Sequence, residues 1–320
     1  MNLVLVMAGL GILLLAGDSL VRGAVALALR LGIPALIVSL TIVAFGTSAP
    51  ELLVSVQSTL EGVPGLAVGN VVGSNIANVL LVLGVPALIS AIDTKGCESA
   101  RSYIQMLGAT VIFIILCFLG PLHIWHGVVL FGLFLAMLYS GFAEAKKHRD
   151  SACAPADAEL AELEEGATGL SGFRIAVYII LGLVGLPLGA QLLIDGAIGI
   201  AVKYGVSDAV IGLTLVAFGT SLPELATTVM AAIRKQADVV MGNVIGSNMF
   251  NLLGILGITA FFGPLPVEGS FLTLDLWVML GASLLLIPFV FLGWRINRLW
   301  GLAFCAAYGL YVARLLQVAG

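Results

Sequence analysis

Glu51 and Glu224 close two near-identical runs, GTSAPE and GTSLPE, and each is followed by a second run, GNVVGSNIAN from Gly69 and GNVIGSNMFN from Gly242. Within them Thr47 and Glu51, Ser74 and Asn78, Thr220 and Glu224, and Ser247 and Asn251 are all spaced i, i+4, which puts both members of a pair on one helix face. The set holds carboxylate, hydroxyl and amide oxygens and nothing softer. A hard cation such as Ca²⁺ takes about six to eight such oxygens at about 2.3–2.6 Å, whereas zinc or copper favours His or Cys. No His lies near: His123 and His126 fall in a short loop and His148 in a linker. The two carboxylates supply a charge of −2, which matches one Ca²⁺ or two Na⁺ competing for a single cage.

Pro50 and Pro223 directly precede the glutamates. Inside a helix, proline removes one N–H and pushes away the carbonyl four residues back, here that of Gly46 or Gly219. Those carbonyls and the neighbouring ones of Ala44 and Ala217 then need a partner. Deep in a membrane, non-helical backbone is tolerated only where it lines a cavity or is buried in protein. Gly69, Gly73, Gly242 and Gly246 allow close helix approach or local unwinding beside the same place.

The elements that must position these residues are membrane helices. The chain has 320 residues, 60% hydrophobic and only 10% charged, against about 25% charged in an average soluble domain. Apolar stretches long enough to cross a core of about 30 Å as helix recur throughout. They predict ten spans, at 3–30, 34–60, 66–91, 103–120, 124–142, 173–202, 207–233, 239–263, 271–292 and 296–316. Thr47, Thr220, Asn78 and Asn251 then fall near the centres of their spans, so all four runs meet at the bilayer midplane. A charged side chain there costs about 2.5–3.5 kcal/mol on insertion scales, which marks Glu51 and Glu224 as functional. The alternative, a pair of neutral carboxyls kept for packing, requires the same accident at two equivalent positions.

The chain repeats itself at a constant offset that carries Glu51 onto Glu224 (224 − 51 = 173). LTIVAFGTSAPELLVSV from Leu40 matches LTLVAFGTSLPELATTV from Leu213 at 12 of 17 positions, and the runs from Gly69 and Gly242 match at 7 of 10. Five spans per copy is an odd number, so the second copy enters the membrane from the opposite side. The expected architecture is an all-α integral membrane protein of ten transmembrane helices in two inverted five-helix repeats, 1–142 and 173–320, joined by a cytoplasmic linker, 143–172. Two like halves of opposite orientation can open a central site first to one face and then to the other.

Charge sets the orientation. With the N-terminus outside, 12 of the 14 Lys and Arg residues fall at inner ends or loops, and only Lys203 and Arg314 fall outside. Both termini are therefore expected outside, in a multi-pass protein of the plasma membrane. The first positive charges, Arg22 and Arg30, follow the first apolar stretch, so that stretch reads as a retained helix and not a cleaved signal. The linker carries Lys146, Lys147 and Arg149, then Glu159, Glu162, Glu164 and Glu165. The net charge of −4 gives no reason to expect a nucleic-acid partner, and no obligatory protein partner is evident. Cys97, Cys117, Cys153 and Cys305 lack the spacing of a disulfide framework or zinc site. Asp18 with Arg22, and Asp195, read as packing, pairing or gating groups outside the ligand set.

The paired runs GTSAPE with GNVVGSNIAN, and GTSLPE with GNVIGSNMFN, resemble the two α-repeats of the sodium/calcium exchanger family in the calcium/cation antiporter superfamily, in its prokaryotic form. The resemblance implies a secondary antiporter, not an enzyme, with Ca²⁺ and Na⁺ as substrates and no cofactor. It implies a bacterial or archaeal inner membrane as its place. Carried over by motif, Glu51 and Glu224 are the central ligands, with Thr47, Ser48, Ser74, Thr220, Ser221, Ser247, the carbonyls of Ala44 and Ala217, and Asn78 and Asn251. It further implies a bundle of the first and sixth helices sliding on a core, and electrogenic exchange of three Na⁺ for one Ca²⁺. Some relatives, the potassium-dependent ones among them, carry Asp where this chain has Asn251, and proton-coupled relatives carry a glutamate inside the glycine–asparagine run. Both departures favour sodium coupling without potassium. A proton-coupled or potassium-dependent exchanger and a cation channel are the alternatives. An intramembrane protease is a poor fit, because paired aspartates need no duplicated Thr, Ser and Asn.

Overall fold

The computed structural model describes residues 2–95, 97, 99–150, 170–204, 219–267, 269 and 271–319. Its elements are helices: α1 (Asn2–Leu31), α2 (Ala35–Thr47), α3 (Ala49–Leu60), α4 (Pro64–Ile89), α5 (Ala100–Phe118), α6 (Ile124–Asp150), α7 (Gly172–Lys203), α8 (Leu222–Ile233), α9 (Ala237–Thr259), α10 (Phe271–Phe291) and α11 (Arg298–Ala319). Among the described residues eight helices are long and apolar enough to span a membrane, and nine if the bent pair α2–α3 is one span. The expected seventh span, 207–233, is represented by α8, and its first part lies outside the described residues, as do Ala217 and the acidic stretch of the linker.

Helices α1 and α7 lie antiparallel along their whole length. Gly199 sits against Asn2, Gly189 against Leu13, Gly182 against Leu20 and Gly23 against Ile179. A Cβ built on Gly9 would stand 2.5 Å from the Leu193 nitrogen, and one on Gly189 would stand 2.8 Å from the Leu13 nitrogen, so backbone meets backbone. In lipid, where helix association gains little from the hydrophobic effect, this close contact is what holds two apolar helices together. The outward faces carry large apolar side chains such as Leu3, Leu15 and Leu181.

The centre of the molecule is α9, buried along nearly all its length, with α4 largely buried as well. Gly242 and Gly246 let α9 lie on α2: a Cβ at Gly246 would stand 2.7 Å from the Leu40 carbonyl oxygen. Ser39 Oγ adds a bond to the Val239 carbonyl at 2.8 Å. Two short backbone bridges close the loops. Ile92 and Ile296 exchange N–H···O bonds of 3.0 Å, and Leu122 and Leu265 exchange bonds of 2.9 Å. Ile92 and Leu265 are themselves related by the offset of the repeat (265 − 92 = 173).

The proline positions differ from the kinked continuous helix that the sequence suggests. The α2 helix ends at Thr47, Ser48 leaves helical geometry at φ −89° and ψ 7°, and α3 restarts at Ala49 with a 44° bend. Ser221 does the same before α8, at φ −85° and ψ 4°. The missing N–H of Pro50 or Pro223 falls in the first turn of a new helix, where that N–H has no intrahelical acceptor in any case. Thr47 and Glu51 therefore belong to different helical segments, and continuous i, i+4 geometry does not relate them.

The turn after α3 and the turn after α8 share one geometry. The Val63 amide bonds to the Ser58 carbonyl at 2.9 Å and the Gln236 amide to the Ala231 carbonyl at 2.9 Å, each closing a helix over a residue with positive φ. That residue is Gly62 (φ +83°) in the first turn and the exposed Lys235 (φ +57°) in the second. A side chain in this region costs roughly 1 kcal/mol. Lys235→Gly should therefore raise the thermal unfolding midpoint of the purified protein by roughly 2 °C, the scale of such an energy in a protein of this size. A lowered midpoint would mean that the lysine makes a contact worth more than the strain.

Candidate ion site

Both breaks place a carboxylate in the first turn of a half-helix, Glu51 in α3 and Glu224 in α8, where unpaired N–H groups give a positive end. Each glutamate is 1% exposed. The two segments are tied across the molecule, since Ser48 Oγ donates to Glu224 Oε1 at 2.8 Å. The Thr47 hydroxyl lies 3.3 Å from the Ala44 carbonyl oxygen and 3.4 Å from Asn243 Oδ1. The Ala44 carbonyl also accepts the Ser48 amide at 3.0 Å, the last helical bond of α2.

Helices α4 and α9 supply the amides. Asn78 Nδ2 donates to Asn248 Oδ1 at 3.1 Å, and Asn251 Nδ2 donates to Asn75 Oδ1 at 3.4 Å. Each bond joins one glycine–asparagine run to the other, and the offset of the repeat carries one bond onto the other. Ser74 and Ser247 are buried beside them. Ser221 is buried and Thr220 half-buried at the break before α8. Ala217 lies outside the described residues.

Two residues that the sequence reading passed over hold the glutamate backbones. Asn70 Nδ2 donates to the Glu51 carbonyl at 3.3 Å and to Ser55 Oγ at 3.2 Å. Asn243 Nδ2 donates to the Glu224 carbonyl at 3.3 Å and to Thr228 Oγ1 at 3.0 Å. Both asparagines stand second in the duplicated run, and their recurrence at equivalent positions was the available signal. Asp18 is also more than a local pair. Besides Arg22 Nε at 3.0 Å, it takes Arg234 Nε at 2.6 Å, linking α1 to the end of α8. Asp195 accepts from Gln191 Nε2 at 2.8 Å, and the His123 amide donates to His126 Nδ1 at 2.9 Å, away from the site.

The oxygens left over define what the site can hold. Glu51 Oε2, Glu224 Oε2, Ser221 Oγ, Ser247 Oγ, Asn78 Oδ1 and Asn251 Oδ1 are buried and accept no hydrogen bond from the protein. Leaving one such group without a partner costs about 1–3 kcal/mol, and more where it is charged. All six belong to the sequence-derived set, and a hard cation fits a donor set made only of oxygen. Gln236 and Thr259 also keep buried side-chain oxygens without a partner, outside that set. Among the described residues no three His, Cys, Asp or Glu side chains cluster, so the acidic part is the two glutamates.

Residues 1–142 and 174–317 match the family described as sodium/calcium exchanger protein. The chain is 37% identical over 313 residues to the putative antiporter CaxA of Alkalimonas amylolytica, with 95% of each sequence covered. It is 32% identical over 348 residues to the sodium/calcium exchanger MaX1 of Methanosarcina acetivorans, with 99% of each covered. Among solved structures, the sodium-calcium exchanger NCX_Mj superposes with a TM-score of 0.81 at 32% identity, over 98% of each chain. The fold, the paired runs and these likenesses agree: the chain belongs to the sodium/calcium exchanger family, as a multi-pass membrane antiporter and not an enzyme.

Proposed function

We propose that this chain exchanges Na⁺ for Ca²⁺ across the plasma membrane, by alternating access to a site between α2–α3, α4, α8 and α9. The observation that carries the reading is the set of six buried oxygens without a protein donor around two glutamates. A cation supplies the partner that each lacks. Thr47, Ser48, Ser74, Thr220, Ser221, Ser247, Asn78, Asn251 and the carbonyls of Ala44 and Ala217 complete the ligand set. Recurrence of the Asn70 and Asn243 clamps and of the cross-run amide bonds at one offset supports two inverted repeats, 1–142 and 173–320; the sidedness of Lys and Arg supports both termini outside. The α1–α7 pair moves as one body in this reading.

Proteoliposomes loaded with Na⁺ and diluted into Na⁺-free buffer should accumulate Ca²⁺. Equal uptake driven by a pH gradient alone would sink sodium coupling, and leak down the Ca²⁺ gradient without countertransport would make the protein a channel.

Glu51→Gln and Glu224→Gln should each abolish exchange, since each removes half of the negative charge in the cage. Expression and thermal stability should hold or rise, because a costly buried charge is gone. Near-normal transport in either variant would remove that glutamate from the site.

Charge also bears on potassium. With Asn251 neutral, a K⁺ bound beside Ca²⁺ would leave +1 uncompensated in a low-dielectric site, where the imbalance is penalised strongly. Ca²⁺ flux should therefore be unchanged when K⁺ is removed from both sides, and Asn251→Asp should make it depend on pH and K⁺. Wild-type flux that stops without K⁺, at a clamped membrane potential, would overturn the charge count. The same count allows two Na⁺ at full balance, whereas the three-for-one exchange that the family resemblance implies moves one net charge per cycle. Response of Ca²⁺ flux to an imposed potential decides between them.

A further inference from the structure

An asparagine beside a cation is useful in only one of its two orientations. Flipped end for end, the amide keeps its shape but presents NH₂ where the oxygen stood, and an attraction becomes a repulsion. Something must hold Asn78 and Asn251 with their oxygens toward the ion. The bonds from Asn78 to Asn248 and from Asn251 to Asn75 do not do so alone, because an amide pair can reverse both members and form the same bond the other way.

The degeneracy is broken one residue further out. Asn248 Nδ2 lies 3.7 Å from Met106 Sδ, and Asn75 Nδ2 lies 3.9 Å from Met279 Sδ. A thioether sulfur carries lone pairs and no proton, so it can only accept. With its NH₂ held on sulfur, Asn248 turns its oxygen to Asn78, Asn78 answers with its NH₂, and the Asn78 oxygen is left for the ion. The same chain runs from Met279 through Asn75 to Asn251. Asn78 Oδ1 and Asn251 Oδ1 are the oxygens that remain without a donor. The methionines are fully buried in α5 and α10, outside the duplicated runs, and they too are related by the offset of the repeat (279 − 106 = 173).

We propose that Met106 with Asn248, and Met279 with Asn75, are positioning residues that lock the amides of Asn78 and Asn251 with their oxygens facing the transported cation. The proposal rests on the reading of this site as a cation site. A carboxylate would need no lock, since either of its oxygens serves, so the device belongs to a chain with Asn at position 251.

The test is the Ca²⁺ concentration that gives half-maximal thermal stabilisation of the purified full-length protein, with Na⁺ titrated likewise. Met106→Leu and Met279→Leu keep the packing volume and remove the acceptor. Each should leave the ion-free melting midpoint near that of the wild type and raise the half-maximal concentration roughly three- to tenfold, the scale of one hydrogen bond's contribution. In an Asn251→Asp background Met279→Leu should cause no further shift, while Met106→Leu should still do so. An Asn78→Asp background should reverse that pattern, and either arm suffices if one variant does not fold. A wild-type protein that neither ion stabilises would overturn the cation-site reading and the lock with it. A responsive wild type with unshifted methionine variants, or equal shifts in the aspartate backgrounds, would overturn the lock alone and leave the site standing.

Discussion

Everything in this structure answers to one constraint: two carboxylates stand in the middle of an apolar slab, where an unaccompanied charge is expensive. A continuous helix through Pro50 or Pro223 would leave a carbonyl unpaired and give the glutamates no helix end. The broken helices change that balance. At Ser48 and Ser221 the chain leaves helical geometry, so each glutamate sits at the positive end of a half-helix. Asn70 and Asn243 hold the glutamate carbonyls, which keeps each broken end from unravelling. Glu51 Oε2, Glu224 Oε2, Asn78 Oδ1 and Asn251 Oδ1 still lack a donor; in the proposed function a cation completes them.

The two halves are alike but not equal. Ser48 donates to Glu224, whereas the corresponding Ser221 hydroxyl and Glu51 Oε2 are both left without a hydrogen bond. Asp18 is pinned to Arg234, but their counterparts in the other repeat are Gln191, which bonds within its own helix to Asp195, and Glu61, which bonds to Gln57. In the conformation described, the symmetry of the sequence duplication is not kept. These unequal pairs are where it is broken.

Much of this was legible in the sequence, because membrane spanning and duplication both write themselves along the chain. Apolar length gave the helices, and the repeat marked six of the residues whose buried oxygens lack a partner, from Glu51 to Asn251. The break at Ser48 was not legible as such, since proline inside an apolar run reads equally as a kink, and the backbone angles of Ser48, two residues before it, decide. Asn70 and Asn243 were visible in the runs but not separable there from glycine-rich packing. Arg234 and the two methionines lay beyond reach for another reason. Their partners are far away along the chain, and a buried methionine in a span looks like any other apolar residue.

The sequence distance across the site also has a meaning for how the protein is made. Glu51 and Ser48 are in the membrane long before Glu224 exists, and at about 5–20 residues per second the intervening stretch takes on the order of ten to thirty seconds to synthesise. The Ile92–Ile296 bridge needs even more of the chain before it can close. For that interval the Glu51 carboxylate has none of the residues of α8 and α9 that face it in the finished chain. The nascent chain must shelter it against the translocon, water or a chaperone, and the full set of residues is present only once α8 and α9 have been made.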